Sequence, residues 1–221
     1  MTPLITGANR GIGLGLLQLY AERGLAPIGT ARTEDPPRVE GARWMPLDVT
    51  DPKAQRGLVE SLGDAALDLL VCNAGAFLDR NQTPDDGYPP EMWAQMFATN
   101  VTGVFLTVQA MLPLLNRSDR PRIAIISSQM ASDERAPGGS YIYRASKAAA
   151  LNLGRNLAAD LKPRGIAVGI YHPGWVRTDM GGEGGDISAD EAAEGLAARF
   201  EALSLETTGC FETWDGRPHP Y

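Results

Sequence analysis

Short β-prone runs alternate with helical patterns along almost the whole chain, and that alternation limits the fold more than any single motif. The strand candidates lie in residues 1–5, 26–32, 43–47, 67–72, 122–126, 166–171 and 209–213. Helical patterns run from about Leu14 to Arg23, to about Leu62, from Glu91 onward, to about Leu161, and to about Leu203. Asp51 or Thr50 can cap the second helix ahead of Pro52, Ser188 with Glu191 makes a capping box for the last, and Pro163 with Gly165 stops the fourth. Such alternation predicts one mostly parallel sheet covered by helices on both faces. The 221 residues, 43% of them hydrophobic, suit one compact α/β domain over 1–221, and neither a repeat nor a linker divides the chain.

Several classes of function are disfavoured by composition. A formal net charge of -7 argues against a duplex nucleic-acid surface, which needs a basic face. No apolar run reads as long enough to span a bilayer, and the chain enters a strand without a charged-then-apolar leader, so a cytoplasmic protein without membrane or nucleic-acid partners is expected. Cys72 and Cys210 are too few for a disulfide framework and have no zinc-like spacing; core thiols are expected and no metal site.

In an open parallel sheet, ligands bind at the carboxyl ends of the strands. The residues with chemical potential fall there. Thr6-Gly7-Ala8-Asn9-Arg10-Gly11-Ile12-Gly13 joins the first strand to a helix, and glycines at 7, 11 and 13 let a pyrophosphate approach the helix N-terminus, where free N–H groups attract anions. Arg32 ends the second strand, where an arginine suits the 2′-phosphate of NADP(H) and an acidic residue would suit NAD(H). Arg10 could add a second charge to that phosphate, the alternative for each arginine being a solvated surface group. Asp48 follows the third strand and could meet an adenine amino group; Asn73-Ala74-Gly75 follows the fourth, Ser128 the fifth and Pro173 the sixth.

Tyr143 and Lys147 are four residues apart, so on a helix the phenol and the ammonium share one face. An ammonium beside a phenol favours the phenolate and so lowers its pKa toward a range useful for acid–base work. Phe77 to Pro90 reads as a surface loop, Gly181 to Gly185 as a flexible hinge, and the apolar stripe from Met92 to Leu112 as core or subunit contact in one long helix that also carries the polar Asn100. Phe77, Met130, Tyr141, Trp175 and Met180 could line a substrate pocket.

Taken in order, the glycine turn, Asn73-Ala74-Gly75, the Y-x-x-x-K spacing of Tyr143 and Lys147, and Pro173-Gly174 with Thr178 resemble the short-chain dehydrogenase/reductase family over nearly the whole chain. The segments Tyr143 to Lys147 and His172 to Met180 look like its C-factor and sniffer-type carbonyl reductase branch. The resemblance implies a Rossmann-like doubly wound sheet of about seven strands and an NADPH-dependent oxidoreductase acting on a small carbonyl or alcohol. Tyr143 would then be the general acid/base, Lys147 would depress its pKa and bind ribose, Ser128 would hold the substrate oxygen, and Asn100 would hold a water linked to Lys147. The implied cofactor contacts are Gly7, Asn9, Arg10, Gly11, Ile12, Gly13, Arg32, Asp48, Val49, Asn73, Ala74, Gly75, Tyr143, Lys147, Pro173, Gly174, Val176 and Thr178. The family's serine usually lies thirteen residues before the tyrosine, where this chain has Met130, so Ser127 and Ser132 stand as alternatives to Ser128. An NAD-linked alcohol dehydrogenase and a cofactor-binding sensor without turnover are the rival functions, and a homodimer or homotetramer through the long helices is expected.

Overall fold

The computed structural model describes residues 1–221. Its centre is a seven-stranded sheet built from β1 (Pro3–Ile5), β2 (Ile28–Ala31), β3 (Arg43–Pro46), β4 (Leu69–Cys72), β5 (Arg122–Ile126), β6 (Ala167–His172) and β7 (Phe211–Thr213). The order across the sheet is β3-β2-β1-β4-β5-β6-β7 and every pairing is parallel. The strand order reverses between β1 and β4, which opens a crevice above their carboxyl ends.

Six α-helices cover the two faces: α1 (Gly11–Glu22), α2 (Pro52–Leu62), α3 (Pro90–Phe97), α4 (Gly103–Leu115), α5 (Tyr141–Leu161) and α6 (Ala189–Ala202). Alternation along the central strands divides the core. Leu70, Cys72, Ile123 and Ile125 pack with α2, α4 and the end of α5, whereas Leu69, Val71, Ala124 and Ile126 pack with α1 and α6. The caps follow the sequence: Asp51 accepts from the Lys53 amide with Pro52 in the first turn, and Ser188 and Glu191 form a reciprocal capping box. Helix α1 starts three residues earlier than its apolar pattern suggested, because Gly11 and Gly13 belong to its first turn.

Three expectations need correction. The run Pro90–Leu115 spans 26 residues and is, by length and composition alone, apolar enough to cross a bilayer, contrary to the sequence reading. Its inner side chains, including Met96, Val104, Val108 and Met111, are buried in the protein core. That run is also not one regular helix, since Ala98–Thr102 forms a π-helical turn between α3 and α4. Finally, Gly181 to Gly185 is no free hinge: the Gly182 amide donates to the Thr178 carbonyl, Trp175 Nε1 donates to the Gly181 carbonyl, and Arg177 donates to the carbonyls of Gly185 and Asp186.

Candidate active site

The turn between β1 and α1 is held from the neighbouring strand. Thr6 Oγ1 accepts from the amides of Asn73 and Ala74, both at 3.0 Å, and Asn73 Nδ2 donates to the carbonyls of Thr6 (2.9 Å) and Gly7 (3.1 Å). Close approach then dictates glycine. Gly7 has φ +62°, and a Cβ on Gly13 would lie 2.5 Å from Asn73 Nδ2 and 2.6 Å from the Gly7 carbonyl oxygen. Helix α1 has no side-chain cap, so the N–H groups of its first turn are open to an anion.

A cleft of about 440 Å³ runs from this turn to α5. Of the residues singled out in the sequence, Gly7, Asn9, Arg10, Gly11, Ile12, Arg32, Asp48, Val49, Asn73, Ala74, Gly75, Ser127, Tyr143, Lys147, Pro173, Thr178 and Met180 line it. Gly13, Asn100, Ser128, Gly174 and Val176 do not. Gly13 instead closes the turn, and Gly174, at φ +89°, packs so tightly against Ile187 and Trp214 that a Cβ would fall 2.7 Å from the former. Val176 is buried and bridges to Ile187. The two arginines differ: Arg32 is exposed and unpaired beside Asp48, whereas Arg10 forms an ion pair at 3.0 Å with Asp179, across the cleft mouth. Both partners of that pair are largely exposed, so it is a weak tie. Asp48 accepts from the Thr50 amide (2.9 Å) and hydroxyl (2.7 Å); the amide is the main reason its carboxyl sits below the ordinary range.

At the far end of the cleft, Tyr143 and Lys147 are 7% and 5% exposed, so burial rather than contact with water sets their proton affinities. Lys147 Nζ donates to the Ile126 carbonyl at 2.9 Å and lies 5.6 Å from the centre of the Tyr143 ring. Burial lowers the Lys147 pKa to about 8. The phenol moves in the direction opposite to the one expected from the sequence: burial raises Tyr143 to about 12, against the lowering effect of a hydrogen bond from Ser128 and of the Arg80 charge. Desolvation outweighs both lowering effects because the phenol is enclosed.

The three serines separate by what they hold. Ser127 Oγ donates to the Lys147 carbonyl (3.0 Å) and Ser132 Oγ to the Tyr221 carbonyl (3.0 Å), whereas Ser128 Oγ accepts from the Met130 amide (3.1 Å) and faces the phenol. Asn100, in the π turn, accepts from the Ala76 amide (2.8 Å) and donates to the Ala76 carbonyl and to Ser146 Oγ, both at 2.9 Å. Both Nδ2 hydrogens are therefore used within the protein, and only Oδ1 retains a lone pair for a water.

The description short chain dehydrogenase fits the family model that matches residues 2–186. The chain belongs to the short-chain dehydrogenase family. Among the relatives of this family member, C-signal of Myxococcus xanthus is 32% identical over 167 residues, 75% of this chain and 99% of the relative. An NADPH-bound carbonyl reductase from chicken fatty liver superposes with a TM-score of 0.89 at 31% identity, covering 100% of this chain and 98% of that one. The carbonyl reductase Sniffer of D. melanogaster gives 0.91 at 26% identity, covering 100% and 99%.

Part of this dehydrogenase's site was not visible in the sequence. Residues 77 to 90 read as a surface loop, yet Asp79 is fully buried, and its Oδ2 accepts from the amides of Ile142 (2.8 Å) and Tyr143 (3.2 Å). Phe77 stacks on the Tyr143 ring, with centroids 4.2 Å apart and planes 23° from parallel. The Arg80 guanidinium lies 5.0 Å from the Phe77 ring centre and donates to the Met180 carbonyl. The one available signal was negative: the start of α5 carries no acidic residue of its own, so its cap had to come from elsewhere.

Proposed function

We propose that the chain is an NADPH-dependent carbonyl reductase, converting a ketone or aldehyde to an alcohol. The observation that carries this reading is that the buried Tyr143–Lys147 pair lines the same cleft as the uncapped N-terminus of α1. The fit to a dinucleotide rests on the glycine cradle, where a Cβ at residue 13 has no room, and on the cations Arg10 and Arg32. When bound, the nicotinamide supplies the hydride.

The chain's own groups would do the rest. The turn amides and Arg32 would hold the phosphates, with Arg10 free to join by exchanging its exposed partner Asp179, and Asp48 would face the adenine. Tyr143 would release its proton to the substrate oxygen while the Ser128 hydroxyl donates a hydrogen bond to the same atom, neutralising the developing oxyanion. With its pKa raised by burial to about 12, the Tyr143 phenol rests protonated, the form that can donate to a substrate oxygen. Lys147 would bind the ribose hydroxyls, and the Asn100 Oδ1 would hold a water beside it. NADPH preference is also supported by the chicken reductase, whose structure holds NADPH. Exposed Trp93 and Phe105 are what a second copy would cover in a homodimer or homotetramer; a monomeric scattering mass would remove that part.

The test is NADPH oxidation with a panel of ketones and aldehydes. Tyr143→Phe is expected to lower kcat by about a hundredfold or more while leaving NADPH binding intact. A Tyr143→Phe protein as active as the parent would remove the proposed acid. NADPH binding without turnover on any panel member would favour the second reading, a cofactor-binding protein, for which the likeness to C-signal is the motive.

A further inference from the structure

Tyr143 is the third residue of α5, and the helix offers nothing local to hold that end. Ser140, at the cap position, has φ 47° and ψ 45° and makes no side-chain bond, and the first turn contains no carboxylate. Gly138 and Gly139, just before it, also have positive φ, so the chain enters the helix through a run of left-handed residues. First-turn amides left unpaired in the interior cost about 1–3 kcal/mol each, so something must accept from them.

That acceptor is Asp79, 64 residues upstream of Tyr143. Its Oδ2 takes the Ile142 amide and the Tyr143 amide itself, while Oδ1 is buried with no partner. A carboxylate at a helix N-terminus is electrostatically favoured, and here the helix is the one carrying the phenol. The same short segment grips the side chain as well, because Phe77 stacks on the Tyr143 ring and Arg80 covers Phe77. Arg80 also donates to the Met180 carbonyl, in the stretch after β6 that borders the cleft. Phe77, Asp79 and Arg80 of one four-residue stretch therefore fix the backbone and the ring of one tyrosine and tie both to the cleft rim.

We infer that Asp79 is a positioning residue for the proton donor, capping α5 from a distant loop, and that Phe77 to Arg80 form a clamp joining the segment after β6 to the Tyr143 phenol. This rests on Tyr143 being the donor. The charged groups around the phenol are Lys147 on α5 and Asp79 and Arg80 on the loop; Asp79 raises the phenol's pKa and Arg80 lowers it, so the two loop charges oppose each other.

Three variants read the clamp. Asp79→Asn keeps an acceptor oxygen but loses the charge; the pH midpoint of kcat should move down by about half a unit or more, with the NADPH Kd unchanged. Arg80→Gln removes the opposing charge and should move that midpoint up. Asp79→Ala loses the cap; kcat should fall at least about tenfold at constant NADPH Kd, and amide exchange at Ile142 and Tyr143 should quicken about tenfold. Profiles of Asp79→Asn and Arg80→Gln that superimpose on the parent overturn the inference, as does unchanged amide exchange in Asp79→Ala. If Asp79→Ala does not fold, the two opposite pH shifts decide. If the parent shows no turnover, the functional reading fails while amide exchange in Asp79→Asn and Asp79→Ala still decides the cap: no faster exchange in Asp79→Ala than in Asp79→Asn rejects it.

Discussion

Replacing Gly13 with alanine tests the cofactor cradle directly. Gly13 is absent from the positions with positive φ, so alanine meets no backbone strain there and the whole cost is steric. The new Cβ would sit 2.5 Å from Asn73 Nδ2 and 2.6 Å from the Gly7 carbonyl oxygen, where ordinary contacts begin at 3.4 Å and almost none fall below 3.0 Å. The turn and α1 must therefore separate by at least about half an ångström or distort. Overpacking of this kind costs about 1–3 kcal/mol. Weakening the bond from Asn73 to the Gly7 carbonyl adds about 1 kcal/mol, for a total of roughly 2–4 kcal/mol. In a chain of this length that corresponds to a fall in Tm of roughly 5–15 °C. Gly57 in α2 is the control: a Cβ there meets nothing within 4 Å, so Gly57→Ala should be neutral or stabilising by about 0.5–1 kcal/mol. Adding Asn73→Ala to Gly13→Ala removes one clash but leaves the Gly7 oxygen, so it cannot restore the parent. Urea melts and NADPH fluorescence titration provide the readout. A Gly13→Ala protein that melts within a degree of the parent and binds NADPH equally well would refute the account of the turn.

Two further predictions concern charge. Arg32→Asp replaces the unpaired cation at the end of β2 and should lower the preference for NADPH over NADH by about tenfold or more; an unchanged ratio would discredit the 2′-phosphate role. His172 is buried with Nδ1 unpartnered, and burial lowers its pKa to about 4, with His219 and Arg135 acting in the same direction and Asp215 against it. Between about pH 4 and 6.5 the unfolded chain then binds more protons at this site than the folded one. Stability is full above about 6.5 and is lost as pH falls toward 4, by about 3 kcal/mol in total. His172→Gln should flatten that acid slope in urea melts, and equal slopes in parent and variant would sink the assignment.

Local signals carried the reading of the sequence where the structure is local. The glycine turn, the Asp51 and Ser188 caps and the alternation of strands with helices follow from residues that contact near neighbours. Long-range chemistry stayed hidden. The apolar spacing from Met92 to Leu112 reads straight through Asn100, so nothing marked the π turn. Asp79 lies in a polar loop indistinguishable by composition from a solvated one, yet it is enclosed because α5 lacks its own cap. The direction of the Tyr143 shift required knowing that the pair is enclosed, since on an exposed helix the ammonium alone would decide it. The glycines at 181 to 185 looked mobile because the anchor is the side chain of Arg177, which no glycine count reveals.

Most of the polar residues in this site hold the protein together as well as facing the chemistry. Asn100 joins Ala76 to Ser146, Ser146 donates to the Tyr143 carbonyl, Ser127 to the Lys147 carbonyl, and Lys147 to the Ile126 carbonyl. These bonds staple β5, the π turn and the loop after β4 to α5. Deleting any one leaves a buried donor or acceptor unpaired at about 1–3 kcal/mol, so loss of activity in Asn100→Ala or Lys147→Ala mixes lost structure with lost chemistry. Tyr143 differs, because its phenol is met by the Ser128 hydroxyl and its ring is held by Phe77 independently of the oxygen. Phenylalanine keeps that stacking and removes the acid together with its hydrogen bond to Ser128. The role of Tyr143 is therefore separable from the architecture by a single substitution, whereas those of Asn100 and Lys147 require stability and cofactor affinity to be measured beside turnover.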